Sequence, residues 1–300
     1  MDNGILLKFV TLTIFTLMLT IGVNESFNQL VSVWRQRDVL LRSLLAVIVL
    51  VPLLVMVLMW IFDLPPAVAT GLAVLAAAPG APLTTIRSRM AGADITYVSS
   101  LQLTLALLAV IVTPLTLAVF YGLFELGTES VTVLKVAQQV ALVTFLPVII
   151  GLLLQRFAPK LVAVIGKPLS VIANVLFILL MLALIVLLVI APDLRAMLKV
   201  GWPAIAAILI MVAVSLAIGH GLGGPAQEQR SALAVASIAR NVGLALFVVG
   251  LSDAGQNSVP TILAYMILGT VIAVPYAMWS KRKMRSVASG AGTERGQNRT

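Results

Sequence analysis

Long apolar runs separated by brief polar segments recur along almost the whole chain. They predict helical spans near Ile5–Val23, Val39–Phe62, Ala67–Met90, Ile95–Phe124, Val131–Phe157, Pro168–Ile190, Trp202–His220, Arg230–Leu251 and Pro260–Trp279. Each is close to the roughly 20 residues that a helix needs to cross a hydrocarbon core, and the connections are as short as packed antiparallel helices require. The expected fold is therefore all-α and integral to a membrane, with about nine transmembrane helices. A transmembrane domain covers residues 1–283, and a disordered tail over 284–300 follows where Ser, Gly and charge replace the apolar pattern. The first run lacks a basic leader and a small-residue cleavage site, so it is expected as a retained span.

Two spans break the pattern. In the third, Pro79-Gly80-Ala81-Pro82 falls after about three turns, and two prolines with a glycine cannot continue the hydrogen-bond ladder of a helix. The eighth carries Ser237, Arg240, Asn241 and Gly243 inside an otherwise apolar stretch, where an unpaired charge costs roughly 2.5–3.5 kcal/mol. Interrupted spans in corresponding positions of two halves point to an inverted-repeat transporter whose broken helices cross at the binding site. Negative C-terminal ends of the half-helices would attract a cation there, and positive N-terminal ends an anion. Pro82 suits the first position of the restarted helix, with the hydroxyls of Thr84 and Thr85 beside it.

Composition reinforces this picture: 61% of residues are apolar and 10% charged, with a mean hydropathy of +1.11, against about half and a quarter in soluble domains. The net charge of +9 does not indicate nucleic acid, because the basic residues lie in loops and tail. Arg35, Arg37, Arg42, Arg87, Arg89, Arg156 and the Lys281–Arg285 cluster fall on one side, and only Lys8, Lys135, Arg195 and Lys199 on the other. That bias places the N-terminus outside and the C-terminus in the cytoplasm, as in a bacterial inner membrane. With no cysteine and one histidine, thiolate and histidine metal sites are excluded. No cofactor is expected, and no catalytic triad or carboxylate pair suggests an enzyme. Gly219-His220-Gly221-Leu222-Gly223-Gly224 mimics a dinucleotide fingerprint, but it follows an apolar helix rather than a strand.

Arg240 is the charge deepest in any span, since Asp63, Asp94, Glu125, Asp193 and Asp253 fall at span ends or in loops. Either its guanidinium biases a cavity toward an anion, or it only locks two broken helices together; both roles are compatible. Arg240, Asn241, Thr84, Thr85 and Ser237 are the candidate substrate-binding residues, and Pro79, Gly80, Pro82 and Gly243 the candidate helix breaks. Ser99, Ser100, Gln102, Thr104, Gln138, Gln139 and Asn174 are read first as interhelical hydrogen-bonding groups, and His220 as an interfacial residue.

The stretch Asp63-Leu64-Pro65-Pro66 leading to Ala78-Pro79-Gly80, then Ala93-Asp94 and Thr113-Pro114, resembles the first half of bile acid:sodium symporter proteins. Leu146-Pro147-Val148-Ile149-Ile150-Gly151 and Arg240-Asn241-Val242-Gly243-Leu244-Ala245 resemble the second half. The resemblance implies a panel domain, a core domain and inverted repeats whose broken helices cross beside a substrate cavity. It also exposes departures. Thr84-Thr85 stand where family members place a Ser-Asn pair, Ala236 and Arg240 where they carry a glutamate and a glutamine for sodium, and Val47 near a further sodium-binding glutamine.

Losing a carboxylate and gaining a fixed cation disfavours sodium by Coulomb repulsion. The expected protein is a sodium-independent secondary transporter of a small organic anion, with Arg240 in the role that sodium plays in relatives. No carboxylate lies deep in a span, so a buried proton relay is not expected either. The alternatives are a sodium-coupled, bile-acid-like symporter and a non-transporting membrane sensor or assembly subunit. The expected partners are the anion and the lipid bilayer, with a homodimer left open.

Overall fold

A computed structural model describes the chain except for residues 1–2, 83, 125, 127–132, 191–200 and 298–300. Arg195, Lys199, Asp193 and Glu125, used above in weighing charge, lie outside the described residues. Everything regular among the described residues is helical. The long helices are α1 (Asn3–Asn24), α2 (Phe27–Arg35), α3 (Arg37–Ile61), α4 (Pro66–Ala77), α5 (Thr84–Met90), α6 (Ile95–Phe124), α7 (Leu134–Phe157), α8 (Pro159–Ile190), α9 (Trp202–Leu222), α10 (Gln227–Ile238), α11 (Val242–Val249) and α12 (Val259–Gln297).

Seven of these, α1, α3, α6, α7, α8, α9 and α12, are long and apolar enough to cross a membrane. The third and eighth expected spans are each divided, into α4 with α5 and α10 with α11. Between α4 and α5 the interruption falls at 78–83, as the Pro-Gly pattern requires. In the other pair it falls at Ala239-Arg240-Asn241. Gly243, expected at the break, instead sits in the first turn of α11, where a Cβ would come within 3.0 Å of Ile14. Pro82 occupies a turn ahead of α5, closed by Thr84 N–H to the Ala81 carbonyl, rather than the first helical position.

Two more boundaries differ from the expectation. α8 starts at Pro159 and runs straight through Pro168. α12 continues to Gln297, where a disordered tail was expected after Lys283. Extending an existing helix adds one hydrogen bond per residue ordered and avoids the cost of nucleation.

Helix α3 contains a local fault that later positions a charge. Residues Leu45–Leu50 form a π-helical stretch, in which Val51 N–H reaches back five residues to the Ala46 carbonyl. The cause is Pro52, which has no N–H and whose ring would strike the carbonyl four residues earlier, so the ladder slips by one residue. In the slipped register Pro52 should donate to Val47 and cannot. The Val47 carbonyl is left facing the protein interior without a backbone partner. Pro147 produces a similar π stretch at Ala141–Phe145 in α7.

The core is a continuous apolar cluster that includes Ile14 and Met18 of α1, Leu72 and Leu75 of α4, Leu103 and Phe120 of α6, Ile208 of α9 and Leu244 of α11. It encloses α4 and α11, whose residues are almost all buried. In contrast, α7 and α8 present Leu153, Val164, Ile178 and Leu182 outward, as helices solvated by lipid should.

Candidate functional site

The site begins with the two interruptions. A half-helix that stops in the interior leaves carbonyls at its end and N–H groups at the start of the next half unsatisfied, and neither can be left bare away from water. Here the two faults satisfy one another. Asn241 N–H donates to Ala78 O at 2.9 Å and Ala81 N–H to Ala239 O at 3.1 Å, forming an isolated antiparallel bridge of Pro79 with Arg240. The broken segments therefore cross in contact. Gly80 takes φ 77° at this crossing, a left-handed conformation that glycine adopts without steric cost, and a Cβ there would sit 3.0 Å from that of Leu105.

Arg240 leaves the bridge with its side chain 2% exposed. Nη1 and Nη2 both donate to Val47 O at 3.1 Å, and Nη1 also donates to Ala76 O at 3.3 Å. The first acceptor is the carbonyl that Pro52 deprives of a donor. The second belongs to the last turn of α4, the negative end of that helix. The guanidinium thus binds two carbonyl oxygens, one beside the register slip and one at a helix end. Its Nε remains buried with no hydrogen-bond partner.

The other helix end at the crossing has its own cap. Tyr265 of α12 donates its hydroxyl to Ile238 O, the last residue of α10, at 2.8 Å. Sequence reading missed Tyr265, because a lone tyrosine in an apolar span looks like packing. Removing one buried donor costs about 1–3 kcal/mol. Tyr265→Phe is expected to lower stability by that order while leaving the chain folded, which thermal unfolding of the purified protein measures.

Two voids adjoin the crossing and share Leu17 and Pro82 in their walls. The deeper one, about 30 Å³, is bordered by Arg240, Asn241, Tyr265, Phe177 and Arg87. Arg87, on the restarted half-helix α5, also donates from Nη2 to Thr270 at 3.2 Å. Two arginine residues, Arg87 and Arg240, therefore border one small pocket. The sequence placed Arg87 with the loop charges, because it lies only a few residues from the end of its span.

The larger cavity, about 530 Å³, lies between the end of α1, α5, the start of α6 and α8. Polar groups dominate its wall: Asn24, Glu25, Thr85, Arg89, Ser99, Gln102, Ser170 and Asn174. Of the candidate binding residues Thr85 alone lines it. Thr85 donates to Gln102 Oε1 at 3.0 Å, and Gln102 Nε2 donates to Pro82 O at 3.1 Å, so this pair also fastens the turn before α5. Thr84 donates its hydroxyl to Ala81 O in the turn before α5, Asn241 Oδ1 caps α11 by accepting from Leu244 N–H at 3.0 Å, and Ser237 donates back to Leu233 O at 2.8 Å within α10. These three side chains are engaged in local bonds beside the crossing.

The remaining polar positions divide. Gln102 and Asn174, read first as interhelical glue, border the cavity, whereas Thr104 accepts from the Trp34 indole at 3.2 Å, joining α6 to α2. His220 meets the Tyr276 hydroxyl at 2.8 Å in an aromatic group with Trp279. Glu25 was passed over because it follows the last residue of α1, yet the chain folds its carboxyl onto the cavity wall.

Comparison with curated protein sequences returns no match. The family model for the Sodium Bile acid symporter family matches residues 11–194, more than half of the 300-residue chain and inclusive of α4, α5 and the cavity-lining part of α6. The chain belongs to the sodium bile acid symporter family of membrane transporters.

Proposed function

We propose that this protein is a sodium-independent carrier of a small organic anion, in which the Arg240 guanidinium supplies the positive charge that relatives take from a bound ion. The observation that carries this reading is the seat of Arg240 on the Val47 and Ala76 carbonyls. A sodium ion needs several oxygen ligands, and here the freed carbonyls are engaged and Ala236 offers no carboxylate. Sodium does not fit this donor set.

Anion selectivity follows from the guanidinium groups. Arg87 and Arg240 border the deep pocket and Arg89 the cavity above it, and an arginine fork matches a carboxylate or sulfonate in geometry and charge. The polar wall of the cavity favours a body carrying hydroxyl or amide groups over a bare hydrocarbon skeleton. Two pairs of half-helices added to the seven long helices make nine crossings, with the N-terminus outside and the C-terminus in the cytoplasm by the distribution of basic residues. The two interrupted segments occupy matching places in an inverted repeat.

The reading is tested in proteoliposomes by counterflow of radiolabelled glycerate, succinate and taurocholate, with sodium or choline as the only external cation. Saturable counterflow of at least one anion, equal in both salts, is expected. Sodium-dependent uptake that persists in Arg240→Ala would show a sodium-coupled symporter instead. No counterflow of any of the three would favour a sensor or assembly role.

A further inference from the structure

We propose that Glu25 is a proton-binding site in the wall of the large cavity, and that the transported anion and a proton on Glu25 occupy the cavity together. The inference rests on the anion-carrier reading above and adds the coupling ion which that reading lacks.

Glu25 Oε2 is buried and has no hydrogen-bond partner. An ionised carboxylate with one oxygen held this way loses part of its solvation, whereas protonation removes the charge. Burial accordingly raises the Glu25 carboxyl above the usual carboxylate range, with a hydrogen bond from Ser99 opposing the shift. Among the described residues lining the cavity, the other charged group is Arg89 on α5. The wall from α6 presents Ile95, Ser99 and Gln102, and that from α8 presents Ser170 and Asn174, none of which titrates between pH 4 and 9. Helices α7 and α11, which also pack on α1, contribute no described residue to the cavity.

An anion drawn in by Arg89 enters a space that already holds a negative charge whenever Glu25 is ionised. A like charge nearby favours the protonated carboxyl, so anion binding must take up a proton, and by linkage a proton on Glu25 must strengthen anion binding equally. The neutral acid also offers the anion an O–H donor in place of repulsion. The proton binds a carboxylate oxygen on one side of the membrane and leaves it on the other, and no other bond changes. With a monovalent anion the pair carries no net charge. An inside-negative potential, which drives an uncoupled anion outward by roughly 2.3 kcal/mol per charge at 100 mV, then no longer opposes uptake.

The test uses the full chain in proteoliposomes loaded with a pH-sensitive dye, with glycerate, succinate and taurocholate as probes. For wild type, the apparent affinity of the anion that shows counterflow should fall about tenfold per pH unit above the Glu25 titration, and its net entry should acidify the lumen. Glu25→Gln, which mimics the protonated acid, should remove the pH dependence of anion affinity and abolish lumenal acidification. Glu25→Asp should restore the pH dependence, which separates a proton site from a merely structural glutamate. Anion affinity independent of pH, or acidification undiminished in Glu25→Gln, would overturn the proton site while leaving the carrier intact. Absence of counterflow in wild type would overturn the carrier reading and this one together.

Discussion

Replacing Arg240 with glutamine is expected to lower stability by about 3–5 kcal/mol, the cost of breaking a buried charged hydrogen-bond group and leaving its partners unpaired. Three bonds to Val47 O and Ala76 O are lost at once. Neither carbonyl can find a substitute nearby, because Pro52 has no N–H and Ala76 belongs to the last turn of a helix that ends one residue later. The same substitution should change the response to sodium. With the guanidinium gone, two carbonyl oxygens and the new amide oxygen surround a cation-sized space at the negative end of α4. Millimolar sodium is therefore expected to raise the unfolding temperature of Arg240→Gln and to leave wild type unmoved, with choline as control. The double variant Ala236→Glu, Arg240→Gln, which adds a carboxylate, should respond at lower sodium. If wild type is stabilised by sodium as strongly as the variants, Arg240 does not stand in for the ion.

The crossing itself was legible in the sequence because its causes are local. Pro79, Gly80 and Pro82 cannot sit in a regular helix, and a charge in the middle of an apolar span must meet acceptors; both constraints are carried by residue type alone. The acceptor was not legible. Val47 looks like any apolar residue of α3, and its importance lies in a backbone carbonyl released by a proline five positions later, through a register slip that no side-chain pattern records. The site's walls were obscured for a different reason. Glu25 and Arg89 lie near helix ends, where charge is ordinarily solvated, and only the packing of α1, α5, α6 and α8 around them turns those ends into the sides of a cavity. Tyr265 is a third case, since a capping hydroxyl is indistinguishable from a packed ring until the carbonyl it meets has been placed by another helix. Periodicity also set the start of the sixth span at Pro168, whereas α8 absorbs that proline within the helix and starts at Pro159.

A second large effect is expected where α1 meets α7, because two glycines allow their backbones to touch. A Cβ on Gly22 would fall 2.2 Å from Val148 O, and one on Gly151 would fall 2.6 Å from Leu19 O. Those opposing atoms are backbone and cannot swing aside, so even a methyl group must force the helices apart. Small residues at such contacts provide much of the association between helices in lipid, where apolar surface gains nothing by leaving the solvent. Gly22→Ala or Gly151→Ala is expected to cost about 1–3 kcal/mol, the range for overpacking a filled interior. Valine at either position should prevent recovery of monodisperse protein. The displacement would also reach the site, because Leu17 of α1 borders both voids and Asn24, with Glu25 just after the helix, borders the larger one. Gly122 provides the control. It lies in α6, a Cβ there meets nothing within 4 Å, and Gly122→Ala should be neutral or stabilising by roughly 0.5–1 kcal/mol through the gain in helix propensity. Thermal unfolding of the three alanine variants in one detergent measures the contrast. Equal midpoints for Gly22→Ala, Gly151→Ala and Gly122→Ala would mean that α1 and α7 are not in backbone contact, and the cavity wall that depends on their fit would have to be redrawn.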